Sequence, residues 1–274
     1  MTEHAALIGV VRNGGDGLRE TLTALGALAP RISRAIIATN DNTDDTLDQL
    51  AGWTGAPVQV LNLYGLAASE PDRVRRISVA RNACLDALAG DDTPPPVTIV
   101  ADLDGPNGAL RPEDVCAAIE LVAGGAWTGV FANQPAGYYD LYALRHPIWC
   151  PGDIWAEYRA APKGWFRKGR DRARQAIIYG RQYAIPRATP PIEVESAFGG
   201  LGIYDTNALL AARYAPTDAQ GQAVCEHVTL HAQIRDHGGR LAILPWLENI
   251  APSEHLGPGS GAPWPGEANL KGAG

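Results

Sequence analysis

Between residues 5 and 123, short apolar runs alternate with stretches carrying leucines at helical spacing. That alternation restricts the chain to an α/β fold built on a largely parallel sheet. Ala5 to Val11, Arg34 to Thr39, Val58 to Leu63 and the run opening at Val97 read as strands. Leu18, Leu22, Leu25 and Leu28 mark a helix closed by Pro30. Leu47 to Trp53, Arg73 to Leu88 and Pro112 to Ala123 read as further helices, the last with Glu113 and Asp114 at its positive end.

The second half has another texture. Gly129 to Gln134 and Tyr138 to Leu144 read as strands. Ile192 to Tyr204 reads as one strand interrupted by glycines, a pattern of bulges or of close backbone approach to a ligand. Ala219 to Asp236 is expected to be helical, and Arg240 to Leu247 to be the last strand. From Glu248 the chain is loop-like, and its Gly- and Pro-rich end, residues 257–274, is expected to be disordered.

Composition excludes several classes. With 274 residues, 46% of them hydrophobic, the chain can bury a large core. It has no apolar run of the ~18 residues a membrane span needs, and Met1-Thr2-Glu3-His4 does not open a secretory signal. Cys84, Cys116, Cys150 and Cys225 form no Cys-X-X-Cys pair, which fits a reducing cytoplasm. The net charge of −7 argues against a nucleic-acid partner. One segment departs from that acidity: nine of the 23 basic residues lie between Arg159 and Arg187, interleaved with Trp165, Phe166, Tyr179 and Tyr183. It reads as a solvated face, a lid, or a surface for an anionic or lipid-linked acceptor.

Chemistry concentrates at V-T-I-V-A-D-L-D-G-P-N-G, Val97 to Gly108. Asp102 and Asp104 stand one residue apart at the end of a buried strand, where open α/β sheets bind ligands. Such a pair can hold a hard divalent cation through oxygen or can cap a turn. Neither a G-x-G-x-x-G fingerprint nor a Walker A sequence is present. Asn40 and Asp41 end the second strand, as donor-site groups or as a helix cap. Glu226, in a partly apolar stretch, is either an exposed helix glutamate or a buried carboxylate that needs a partner. His227 and His231, four apart on one helix face, are a metal pair or hydrogen-bonded structural histidines.

Six segments in one order carry a resemblance: N-D-N-T-D-D-T, R-I-S-V-A-R-N, A-D-L-D-G, Y-Y-D-L-Y-A-L-R, F-G-G-L-G-I-Y-D and C-E-H-V-x-L-H. In that order the chain resembles the GT-A (nucleotide-diphospho-sugar transferase) glycosyltransferases, and within them bacterial relatives of the fungal capsule-associated α-1,3-mannosyltransferases. The resemblance runs from Ala5 to His255. It implies a central mixed, mostly parallel sheet flanked by helices, in a single domain over residues 1–256. The nucleotide-binding half would end near residue 125, the acceptor half would span 126–256, and a tail would follow. It implies donor contacts from Arg12, Asn40, Asp41, Arg81 and Asp102, with Gly199 and Gly200 shaping the sugar or acceptor pocket. It implies metal ligation by Asp104 and a late histidine, His255, with His227 as the alternative. Glu226 would face the acceptor hydroxyl, making Glu226 and Asp104 the catalytic pair. The basic segment matches nothing in the family pattern; Arg170, Arg174 and Trp165 are its candidate acceptor contacts.

The expected activity is transfer of a sugar from a nucleoside diphosphate donor, GDP-mannose on the resemblance alone, to a hydroxyl of a glycan or glycolipid, as in polysaccharide biosynthesis. Mn²⁺ or Mg²⁺ is the expected cofactor. The expected location is cytoplasmic, with peripheral contact at the inner membrane through a lipid-linked acceptor. Two alternatives stay open: a metal-dependent nucleotidyltransferase or phosphohydrolase, and a non-catalytic carbohydrate-binding protein.

Overall fold

The computed structural model describes residues 4–162 and 167–270. Its strands are β1 (Ala5–Val11), β2 (Ile32–Thr39), β3 (Val58–Asn62), β4 (Val97–Asp102), β5 (Gly129–Asn133), β6 (Ile192–Glu193), β7 (Leu201–Asp205) and β8 (Leu241–Glu248). The helices are α1 (Gly15–Gly26), α2 (Thr46–Gly52), α3 (Leu66–Ser69), α4 (Arg73–Ala89), α5 (Pro112–Ala123), α6 (Ile154–Ala160), α7 (Arg167–Ile177), α8 (Thr206–Leu210), α9 (Glu226–Asp236) and α10 (Glu267–Leu270).

All eight strands form one sheet in the order β3-β2-β1-β4-β7-β5-β8-β6. The pairs β1/β2, β2/β3, β1/β4 and β5/β8 are parallel, whereas β7 runs antiparallel to β4 and β5, and β6 to β8. The mixed, mostly parallel sheet expected from the sequence is therefore present. Successive strand residues face opposite sides, so Leu7, Ile37 and Ile99 pack with Leu18, Leu25 and Ile119, while Ile8, Ile36 and Val100 pack with Leu85, Leu88 and Leu230. Burial on both faces explains why these strands read as continuous apolar runs rather than alternating ones.

The sheet positions the site through one reversal. The chain steps outward from β1 to β2 to β3, then returns to lay β4 on the other side of β1. Helices leaving opposite faces there open a crevice at the carboxyl ends of β1 and β4. Val10 pairs with Asp102 across it.

Four local expectations are corrected. Tyr138 to Leu144 is irregular chain rather than a strand. Its apolar side chains fill the core, but its polar groups bond locally: Tyr138 N–H donates to the Tyr183 carbonyl, and Asp140 accepts from Ala143 N–H and Gly199 N–H. Ile192 to Tyr204 is two strands, because Gly199 and Gly200 take φ of +64° and +84°, a left-handed turn no strand contains. The last long helix starts at Glu226, after a turn in which the Asp218 carboxylate accepts from Gln220 and Gln222 N–H. Residues 257–270 are not a loose tail: Trp264 packs edge-on against Trp149 and Tyr183, Ala184 N–H donates to the Ala262 carbonyl, and Leu270 is buried. Scattered aromatics anchor that segment where its Gly and Pro content suggested disorder.

His231 lies in the core between β7 and α9, bonded to Ser196 Oγ at 2.8 Å through Nδ1 and to Tyr204 Oη at 2.9 Å through Nε2. Burial first, and the Arg81 charge second, push its pKa from 6.5 down to about 3. The unfolded chain then binds this proton more readily than the folded one. The residue's contribution to stability is complete above pH 6.5 and is lost progressively as pH falls toward 3. The stability cost of His231→Gln, measured by urea denaturation, is expected to shrink on acidification through that window by about 1.4 kcal/mol per pH unit. A cost that does not change with pH would contradict this reading.

Candidate active site

The crevice is a cleft of about 1030 Å³ lined from both halves of the chain. On one wall stand Arg12 beyond β1, Asn40 beyond β2, and the face of α4 that carries Arg73, Ile77, Ala80 and Arg81. Asp102 and Asp104 form its floor with Asp140. The other wall is Tyr142, Trp155, Arg174 and Tyr179, with Glu226 and His227 at the start of α9 and His255 from the segment after β8.

Arg81 is the structural centre. It sits on the buried face of α4, whose first turn is capped by Asp72 accepting from Arg75 N–H at 2.8 Å. Its Nη2 donates to Asp102 Oδ1 at 2.8 Å, and its Nη1 donates to Glu226 Oε1 at 2.5 Å and contacts His227 Nε2. The guanidinium also lies 4.9 Å from the Phe198 ring centre and 5.5 Å from that of Tyr214. Its terminal nitrogens are thus committed to protein carboxylates from β4 and α9. Burial pushes the Asp102 carboxyl up to about 7 against the opposing pull of Arg81. The α9 N-terminus adds a favourable dipole for Glu226, whose second oxygen lies 3.7 Å from the Cys225 thiol.

Asp104 differs. It is exposed, lines the cleft, and has no side-chain hydrogen bond or ion pair among the described residues. Gly17 makes its position possible, because a side chain there would come within 2.7 Å of the Asp104 carbonyl. The Asp102 peptide is anchored from below: its N–H donates to the Gly200 carbonyl at 2.9 Å, and Asn107 Nδ2 donates to the carbonyls of Asp102 and Gly200, both at 2.8 Å. Asn249 and Gln134, both buried, continue that amide network to Gly199. Gly199 and Gly200 lie in this scaffold beneath the cleft and do not line it.

Other residues singled out by sequence are placed as follows. Asn40 lines the cleft, but Asp41 does not. Its carboxylate accepts from Gly65 and Ala67 N–H at the start of α3, which holds it down at a pKa of about 2. His231 is the hydrogen-bonded structural histidine described above. The Arg81 guanidinium faces His227 Nε2, so that nitrogen meets a positive charge, while Nδ1 is buried with no hydrogen-bond partner among the described residues. His255 is exposed and stacks on Tyr139, with planes 8° apart and ring centres separated by 5.4 Å. Arg174 reaches the cleft between Trp155 and Tyr179, at 5.9 and 5.7 Å from their ring centres. Arg170 is exposed on α7 away from the cleft, and Trp165 lies outside the described residues. Sequence reasoning did not single out Asn107, Gln134, Asn249, Tyr139 or Gln182. Asn107 stood only within the turn after the Asp-X-Asp pair, Gln134 only at a strand end and Tyr139 only in the Y-Y-D-L-Y run, none with a role.

Among the described residues, no group of three His, Cys, Asp or Glu side chains could hold a metal ion. The chemistry on offer is a free carboxylate, Asp104, facing a nucleotide-sized cleft. That fits a cation that arrives with phosphates and keeps few protein ligands, as Mg²⁺ commonly does. It does not fit a dedicated protein cage. No helix among the described residues is long and apolar enough to cross a membrane.

Replacing Arg81 with Met would leave Asp102 and Glu226 in the site without their counter-charge. A loss of about 3–5 kcal/mol in denaturant unfolding is expected. Part should return when Glu226→Gln and Asp102→Asn are added. A single variant within about 1 kcal/mol of the parent would show that the clamp is not structural.

No protein-family model matches the chain, and no curated protein sequence matches it. Solved structures do. The crystal structure of S. aureus TarS matches with a TM-score of 0.50 at 13% identity, over 92% of this chain and 37% of that one. The structure of TarS 1-349 matches with a TM-score of 0.46 at 11% identity, over 90% of this chain and 59% of that one. Glucosyl-3-phosphoglycerate synthase from Mycobacterium tuberculosis, in complex with Mn²⁺, UDP and glucosyl-3-phosphoglycerate, matches with a TM-score of 0.46 at 12% identity, over 88% of this chain and 69% of that one. The chain spans less than two thirds of either TarS structure. Of these, only the TarS match at a TM-score of 0.50 bears on the fold, and it shows a shared architecture alone, the mixed α/β sheet of the GT-A type.

Proposed function

We propose that this protein is a metal-dependent glycosyltransferase that moves a sugar from a nucleoside diphosphate donor to a hydroxyl acceptor. One observation carries the reading: the cleft at the reversal of strand order brings a free carboxylate, Asp104, together with Arg12 and Asn40 on one side and Glu226 on the other. The GT-A architecture supports it by analogy.

The donor's base and ribose would lie against Asn40 and Arg12, at the carboxyl ends of β2 and β1. Asp104 would hold the divalent cation, Mn²⁺ or Mg²⁺, jointly with the donor phosphates. That cation supplies charge neutralisation for the leaving diphosphate. Arg12 and Arg73, which make no ion pair among the described residues, add fixed positive charge along the same wall. Asp102 would meet the ribose or sugar through the oxygen that Arg81 leaves free. Arg81 itself acts through its neighbours, aligning Asp102 and Glu226. Glu226, held in place by that bond, would accept a hydrogen bond from the acceptor hydroxyl and orient it for attack. The acceptor would lie along Trp155, Tyr179 and Arg174, an apolar and cationic wall suited to a glycan or an anionic, lipid-linked sugar. A GDP-sugar donor such as GDP-mannose, and kinship with the capsule-associated mannosyltransferases, follow from the motif order alone.

Thermal unfolding with nucleoside diphosphates, with and without Mn²⁺, tests this. A ligand at about a hundred times its Kd adds about 2.7 kcal/mol to stability. One nucleoside diphosphate is expected to raise the melting temperature only with Mn²⁺. Asp104→Ala should abolish that rise while unfolding like the parent without ligand, because an exposed strand-end carboxylate packs nothing. Unchanged Mn²⁺ dependence in the variant would overturn the assignment. Hydrolysis of the nucleotide with no sugar acceptor needed would favour a phosphohydrolase instead.

A further inference from the structure

Tyr139 lines the cleft between the Asp-X-Asp turn and the segment after β8, and no step above uses it. Tyr139 is held twice, once at its ring and once at its main chain. One face lies parallel to His255. Its main-chain carbonyl accepts from Nε2 of Gln182 at 3.3 Å. Gln182 is itself buried and well tied. The same Nε2 donates to the His255 carbonyl at 3.0 Å, and Gln182 Oε1 accepts from Ser260 Oγ at 2.5 Å. The ring and the segment that stacks on it are therefore held by one amide.

The hydroxyl at the end of that ring is placed beside the acidic floor. A side chain begun at Gly200 would come within 3.4 Å of it. The carbonyl of Gly200 is the group that accepts from Asp102 N–H. The phenol therefore lies about one peptide away from the Asp-X-Asp turn, and among the described residues its O–H has no acceptor. A phenol titrates only near about pH 10, so at neutral pH it offers its O–H as a donor. A diphosphate entering this floor meets carboxylates of its own sign. Its oxygens accept hydrogen bonds readily, and bonds to charged acceptors are the strong ones.

We propose that Tyr139 donates a hydrogen bond from its phenol to the diphosphate of the donor nucleotide, beside Asp104, with Gln182 setting the ring's position. This rests on the nucleotide-sugar reading of the cleft and adds a contact to it. Tyr139→Phe removes only the hydroxyl and keeps the ring, its stack and the Gln182 bond. Its melting temperature without ligand is expected to equal the parent's. Calorimetric titration of the full chain with ADP, CDP, GDP, UDP and dTDP, each with Mn²⁺, should show about a tenfold loss of affinity for whichever one binds the parent. Parental affinity in the variant would overturn the proposal. So would a loss confined to the matching nucleotide sugar, which would place the hydroxyl on the sugar instead. If none of the five binds the parent chain, the nucleotide-sugar reading itself falls, and this contact with it.

Discussion

The ion-paired guanidinium of Arg81 is the interaction on which the rest of the site depends. It joins β4 to the start of α9, elements far apart in sequence, through Asp102 and Glu226. A charge buried this deeply is tolerated only when opposite charges and hydrogen bonds meet it. Removing the guanidinium leaves two carboxylates with no counter-charge between them, so the strand end and the helix end depend on it for their separation. The aromatic faces of Phe198 and Tyr214 close the remaining sides of the cation. The carboxylates of β4 and α9 are thereby positioned as one unit at the cleft.

Around that clamp, irregular backbone is buried and must be satisfied one group at a time. Side-chain amides do this twice. Asn107, Asn249 and Gln134 hold the Asp-X-Asp turn and the Gly199-Gly200 turn together beneath the cleft. Gln182 ties Tyr139 to the segment carrying His255. An amide offers donors and an acceptor without a charge, so it bridges loops without adding to the desolvation that Arg81, Asp102 and Glu226 already bear. The contrast with Asp104 is instructive: among the described residues it is the floor carboxylate whose side chain has no partner, and it is the one to which we assign the cation in the proposed reaction.

The sequence by itself determined the frame. Alternating apolar runs and leucine spacings located β1, α4, β4 and α5 to within a few residues, because strands buried on both faces and amphipathic helices leave periods that local chemistry alone imposes. It also located the Asp-X-Asp turn at a strand end. Other features were decided only by tertiary structure. The Tyr138–Leu144 run is as apolar as a strand, yet it finds no ladder, since β5 is already paired by β7 and β8. The motif order reads both Arg81 and Asp41 as donor contacts. The folded chain buries the first between two distant carboxylates and turns the second to the start of α3. The Gly- and Pro-rich end reads as disordered, but Trp264 finds an aromatic cluster more than a hundred residues earlier. Periodicity reports what a residue's near neighbours require. Which distant groups satisfy a buried charge, amide or ring is decided only when the sheet order brings them together.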